Sequence, residues 1–204
     1  MLLLPLSGCN YLAFLGYAFS PELQEKTVEA EFDQLPGRRV AVVMFTQPSV
    51  DFAYPRAKVD LSEAVAYDLR QNVKDLTVVP VSAVTKYQRE NLGWDSLPRR
   101  ELAKKLGADY VMHIGLEEYS MADSNSGMFR ARITADINLY AAAPAGGAAT
   151  DDSPVWTGRL RVVSPEDTAR AIDDRKARGE SHAMFAKLLG RKFHQHKLSA
   201  EEQR

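Results

Sequence analysis

The stretch Leu106-Gly107-Ala108-Asp109-Tyr110-Val111-Met112-His113-Ile114-Gly115-Leu116 marks the point where a helical period gives way to a strand. Leu102 and Leu106 share one helical face, Pro98 suits the first turn of that helix, and Gly107 stands where a helix end favours a left-handed residue. Residues 109–116 then run apolar almost without interruption, as a strand does when both its faces are covered.

Reading outward toward the N-terminus, Arg39-Val40-Ala41-Val42-Val43-Met44-Phe45 has the same character and stops at Gln47-Pro48. Asp60-Leu61-Ser62-Glu63 fits a helix N-cap with a carboxylate three positions on. Leu61, Val65, Leu69 and Val73 form an apolar stripe, so a helix is predicted over about residues 60–73. Leu76-Thr77-Val78-Val79 reads as a second buried strand, and residues 81–90 as a helix of mixed character ending near Gly93.

Toward the C-terminus the period changes to two. Phe129, Ala131, Ile133, Ala135, Ile137 and Leu139 alternate with Arg130, Arg132, Thr134, Asp136, Asn138 and Tyr140, which predicts a strand with one packed and one wet face. The Ala/Gly/Pro stretch 141–147 and Asp151-Asp152 read as a flexible connection. Residues 155–163, with Trp156, Leu160 and Val162 on one side, complete a hairpin. Ser164-Pro165-Glu166-Asp167 reads as a helix start, and Met184, Phe185, Leu188, Leu189 and Phe193 recur at helical spacing. The expected fold is a mixed α/β sheet flanked by helices, in two or three layers, with the order βαβααβ, hairpin, helix. Residues 38–163 are expected to form the domain and 164–204 a C-terminal helix with a basic tail.

The single cysteine of the 204 residues excludes an internal disulfide and a cysteine-based zinc framework. It lies in Leu6-Ser7-Gly8-Cys9, after the apolar run Leu2-Leu3-Leu4-Pro5-Leu6. The stretch resembles the lipobox of bacterial lipoproteins, in which the Cys is lipidated and becomes the mature N-terminus. Residues 1–8 are then a signal remnant with the true start expected upstream, and 9–37 a lipidated Cys9 with a polar leader. The expected location is the periplasmic face of the inner or outer membrane. The alternative is an uncleaved anchor, because apolar character continues to Phe19.

Leu106-Gly107-Ala108-Asp109-Tyr110-Val111-Met112-His113-Ile114-Gly115 is similar to a stretch found in envelope lipoproteins of the CsgG/LpoB type, which have a TolB-N-terminal-like fold. Val40-Ala41-Val42-Val43-Met44-Phe45 and Val155-Trp156-Thr157 resemble two further motifs of that family. The likeness spans about residues 38–163, and its motifs concern packing. It implies non-enzymatic work at the cell envelope on a protein partner whose identity and stoichiometry it leaves open.

With 26 Lys and Arg against 27 Asp and Glu, the net charge of −1 removes the footprint of a nucleic-acid binder. His194-Gln195-His196 with His182 reads as a solvated tail and not as a metal site, since alternate residues on a helix point apart. His113 reads as a satisfied structural histidine, and Glu117-Glu118 and Asp173-Asp174 as solvated carboxylates. Gly146-Gly147 is no phosphate loop, because two aspartates follow it. No catalytic residue, cofactor or metal is expected. Lys187, Arg191, Lys192 and Lys197 make residues 181–200 basic and are the candidate surface for lipid headgroups or an acidic partner. Three functions remain open: a lipoprotein binding or regulatory module, a subunit of an envelope secretion or assembly complex, and an enzyme with an unrecognised site. The first is favoured.

Overall fold

The structure, a computed structural model, describes residues 26–121, 130–142, 152–165 and 174–198. In chain order its elements are β1 (Lys26–Val28), β2 (Arg39–Thr46), α1 (Pro48–Ala53), α2 (Ala57–Asn72), β3 (Thr77–Val78), α3 (Val81–Glu90), a 3-10 turn (Trp94–Ser96), α4 (Arg99–Lys105), β4 (Tyr110–Ser120), β5 (Ala131–Ala141), β6 (Trp156–Ser164), α5 (Asp174–Gly190) and β7 (His196–Leu198). They fall into two compact units. One is Glu31–His194. The described part of the other is a ribbon in which β1 pairs antiparallel with β7, Val28 opposite His196 and Lys26 opposite Leu198.

In Glu31–His194 the sheet order is β3-β2-β4-β5-β6. β2 is parallel to both β3 and β4, and β4, β5 and β6 form an antiparallel meander. The unbroken apolar run of β2 follows from this central place. Val40, Val42 and Met44 pack on one side and Ala41 and Val43 on the other, all buried.

The first side holds the larger core. Met112 and Ile114 of β4 and Ile133, Ile137 and Leu139 of β5 meet Leu61, Val65 and Leu69 of α2 and Phe185 and Leu189 of α5. Each fully buried side chain of this kind contributes about 1.5–3 kcal/mol. Among the described residues the second side is covered over β2, the start of β4 and the adjoining end of β5, where Val84 of α3 and Leu102 and Ala103 of α4 pack on Ala41, Val43 and Val111. In the described residues the mixed α/β sandwich expected from sequence therefore has three layers at one end of the sheet and two at the other.

Gly107 ends α4 as its position foretold, with φ +62°. Gly107 N–H donates to the Lys104 carbonyl (3.1 Å) and Ala108 N–H to that of Ala103 (2.9 Å), the paired bonds of a Schellman motif. The alternation in β5 holds as well: Ala131, Ile133, Ala135, Ile137 and Leu139 are all fully buried. Phe129 lies outside the described residues, as does Cys9 with the rest of residues 1–25.

Several boundaries differ from expectation. The helix read as 60–73 begins at Ala57, so Asp60 is not its cap but a first-turn acid 3.4 Å from the Arg56 guanidinium. Residues 117–120, beyond the strand read as 109–116, continue β4 past an irregularity between Leu116 and Glu118, because β5 pairs with them and Tyr119 returns to the core. Ser164, read as the first residue of a helix start, is itself strand. It ends β6 opposite Ala131, buried, and the described part of the C-terminal helix begins at Asp174. Residues 166–173 lie outside the description. The compact unit is also wider than 38–163, since Phe32, Leu35, Phe185 and Phe193 are all in its core.

Candidate functional site

Where α3 and α4 stop covering the sheet, the described residues leave a polar face open on β4, β5 and β6. Strand register sets which residues meet there, because side chains alternate between faces. His113, Asn138 and Thr157 form one cross-strand row; Gly115, Asp136 and Arg159 the next. Then come Glu118, Thr134 and Arg161, followed by Ser120, Arg132 and Val163.

A trough of about 640 Å³ is lined by Glu117, Glu118, Thr134, Arg159 and Arg161. A smaller hollow of about 320 Å³ adjoins it at Arg159 and is lined by Asp136, Asn138, Thr157 and Gly158 as well. The Arg159 guanidinium is ion-paired with Glu117 and, at 3.5 Å, with Asp136. Thr134 Oγ1 donates to Glu118 Oε2 at 3.3 Å. Arg161 is exposed and makes no ion pair among the described residues. Glu117 and Glu118, expected to be merely solvated, are thus part of an organised charged surface.

Trough and helical layer are tied together at the hairpin. The Asp152 carboxylate accepts from the backbone N–H groups of Arg99 (2.8 Å) and Arg100 (3.0 Å) and so caps α4 from across the chain. This corrects the reading of Asp151-Asp152 as simple connection, at least for Asp152. Arg99 in turn donates to the Asp95 and Leu97 carbonyls, its guanidinium 6.0 Å from the centre of the Trp94 ring.

His113 does not show the satisfied ring that its apolar neighbours implied, because its Nε2 is buried with no hydrogen-bond partner among the described residues. Burial, reinforced by the nearby positive charge of Arg99, lowers its pKa to about 4, so the ring is neutral at ordinary pH. His182 behaves alike at a different place. It is buried on α5, its Nε2 shares a 2.8 Å hydrogen bond with Tyr119 Oη, and its pKa is lowered to about 4. Burial is the main cause. Arg178 adds to it and Asp60 opposes it. Tyr119 stacks edge-on against Tyr54, whose hydroxyl accepts from the Met121 N–H at 3.3 Å.

The histidines therefore do not gather: His182 is in the core, His194 follows Phe193, and His196 is in β7. Residues 196–198 are strand and not solvated tail. Among the described residues no three His, Cys, Asp or Glu side chains come together as metal ligands.

The four basic residues singled out from sequence are also dispersed. Lys192 Nζ is 2.6 Å from Glu31 Oε1. Lys187 and Arg191 act with His194 on Asp68 of α2, whose pKa burial raises and whose Asn72 hydrogen bond and these three charges lower. Lys197 belongs to the ribbon, opposite Thr27. Sequence reasoning missed the trough because its charges come together only through the β4–β5–β6 register. The one signal present was the run of polar residues on alternate positions of β5.

No protein-family profile matches the sequence, and no curated protein matches it. Among solved structures the chain is similar to a PelC dodecamer from Paraburkholderia phytofirmans, with TM-score 0.47 and 13% identity over 84% of this chain and 98% of that one. It is similar to lipoprotein GNA1162 from Neisseria meningitidis, with TM-score 0.48 and 15% identity over 75% and 96%. Protein XCC0632 from Xanthomonas campestris gives TM-score 0.46 and 13% identity over 82% and 91%. Likenesses of this size assign neither family nor activity.

Proposed function

We propose that this chain is a membrane-tethered, non-enzymatic binding module of the bacterial cell envelope. Lipid on Cys9 holds it at the membrane, facing the periplasm, and the open face of β4–β6 engages an envelope protein. The observation that carries this reading is the one-sided cover of the sheet. Three strands present a polar trough of paired acids and guanidinium groups, and among the described residues no nucleophile, base and orienter stand together in it. Such a surface offers many directed hydrogen-bond and charge contacts, which set specificity and orientation in protein recognition. The tether then confines the module near its partner and raises its effective concentration. The dispersed basic residues, several engaged by Glu31 and Asp68, support a membrane-contact role less well.

Two measurements test the reading. Cys9→Ser should move the protein from the membrane to the soluble fraction, and retention of an uncleaved chain on the membrane would favour the anchor instead. A photocrosslinker placed at Thr157 should capture a discrete envelope protein in living cells, and the same probe at exposed Tyr67 on α2 should not. Equal labelling at both positions would defeat the assignment of the trough.

A further inference from the structure

β6 is the last strand of its sheet and carries a single ladder. It pairs with β5 from Trp156 to Ser164 without a register shift, and among the described residues no strand pairs with its outer side. Proteins blunt such edges with proline, a bulge, a very short strand, charged side chains or a covering helix or loop. β6 has nine residues, no proline and no bulge. What it presents is a pattern. Thr157, Arg159 and Arg161 are exposed on the trough side, while Trp156 and Leu160 are half-buried on the other, with exposed Val155 just before them.

The guanidinium groups decide between occupants. A second copy pairing antiparallel about Leu160 would set Arg159 of each chain opposite Arg161 of the other, and like charges directly opposite are unfavourable. A foreign strand with carboxylates at those positions finds the reverse. Arg161 has no ion-pair partner among the described residues and carries the unbalanced positive charge of this edge, whereas the guanidinium of Arg159 is already shared by Glu117 and Asp136. We infer that the outer edge of β6 docks an extended segment of a partner protein in which acidic residues alternate with apolar ones. The segment adds a sixth strand, its carboxylates beside Arg159 and Arg161 and its apolar side chains beside Trp156 and Leu160. This rests on the binding-module reading and specifies the partner's chemistry.

The test uses the full chain in detergent and two synthetic peptides, one alternating Glu and Val and one alternating Lys and Val. Fluorescence anisotropy should show the Glu-Val peptide binding roughly tenfold or more tightly than the Lys-Val peptide, and Arg161→Glu should reverse that order. N-methylation of one alternate set of peptide amides should abolish binding while methylation of the other set leaves it, because only one set faces β6. Arg161→Glu keeps the core untouched, and its thermal transition, compared with that of the parent, verifies folding. Equal binding of the two peptides, no binding by either, or indifference to both methylation sets would overturn the inference. Crosslinking at Thr157 is scored separately. Peptide docking without a cellular partner defeats the proposed function alone, and a cellular partner without peptide docking defeats this inference alone.

Discussion

His182 should make the protein sensitive to mild acid. In the folded chain it is 6% exposed, bonded to Tyr119, with a pKa near 4, whereas an unfolded histidine titrates near 6.5. The folded value is depressed, so as pH falls the unfolded state takes up the proton first. Stability is therefore unaffected by this group above about pH 6.5, declines as pH falls through the interval down to about 4, and levels off below. At about 1.4 kcal/mol per pH unit the full loss is on the order of 3 kcal/mol, a large part of the stability of an ordinary domain. His113 acts in the same direction, so the wild-type slope alone does not isolate His182. His182→Gln keeps a polar group facing Tyr119 and removes the titration. Urea unfolding followed by tryptophan fluorescence at several values between about pH 7 and pH 4.5 should show the wild type losing stability more steeply than the variant. Parallel curves would show that the histidine is not neutral in the fold, and the reasoning from burial would fail.

Other outcomes follow from close packing and capping. A Cβ at Gly190 would lie 1.8 Å from Asp68 Oδ2, so Gly190→Ala should cost about 1–3 kcal/mol in urea unfolding, and adding Asp68→Ala should restore much of it. Trp156 is half-buried, edge-on to Phe193 at 4.9 Å and folded over Gly158. Trp156→Ala should accordingly cost about 2–3 kcal/mol, less than the 3–5 kcal/mol of a fully buried ring, and a loss of 5 would mean a deeper burial than is seen. Asp152→Ala should lower stability by about 1 kcal/mol through the lost cap of α4, with Asp152→Asn much milder; equal effects would point to charge and not to capping.

What the sequence made legible was what local chemistry decides. Gly107 reads as a helix terminator because positive φ is costly for residues with a Cβ, and its two capping bonds sit where that reading puts them. The β5 alternation reads correctly because the pleat has a period of two whatever the strand pairs with. The strand was read only to Leu116 because Glu117-Glu118 interrupts the apolar run, and the strand state of residues 117–120 depends on β5 lying alongside. The place of Ser164 at the end of β6 was hidden for a related reason, since it follows from pairing with Ala131, a partner distant in sequence. Asp152, the trough and the neutral histidines were out of reach, since each depends on groups brought together from distant parts of the chain.

The half-covered sheet has a consequence for how such a protein can diversify. In β5 the residues that hold the fold together, Ile133, Ala135, Ile137 and Leu139, are interleaved one for one with those on the trough face, Arg132, Thr134, Asp136 and Asn138. β6 repeats the arrangement with Thr157, Arg159 and Arg161. Specificity and foldability are thus inscribed on alternating letters of the same words. Drift at the outward positions can retune recognition while the inward ones, buried against α2 and α5, stay fixed. A lineage built on this sheet can exchange partners and keep its architecture, which lets its members diverge far in sequence.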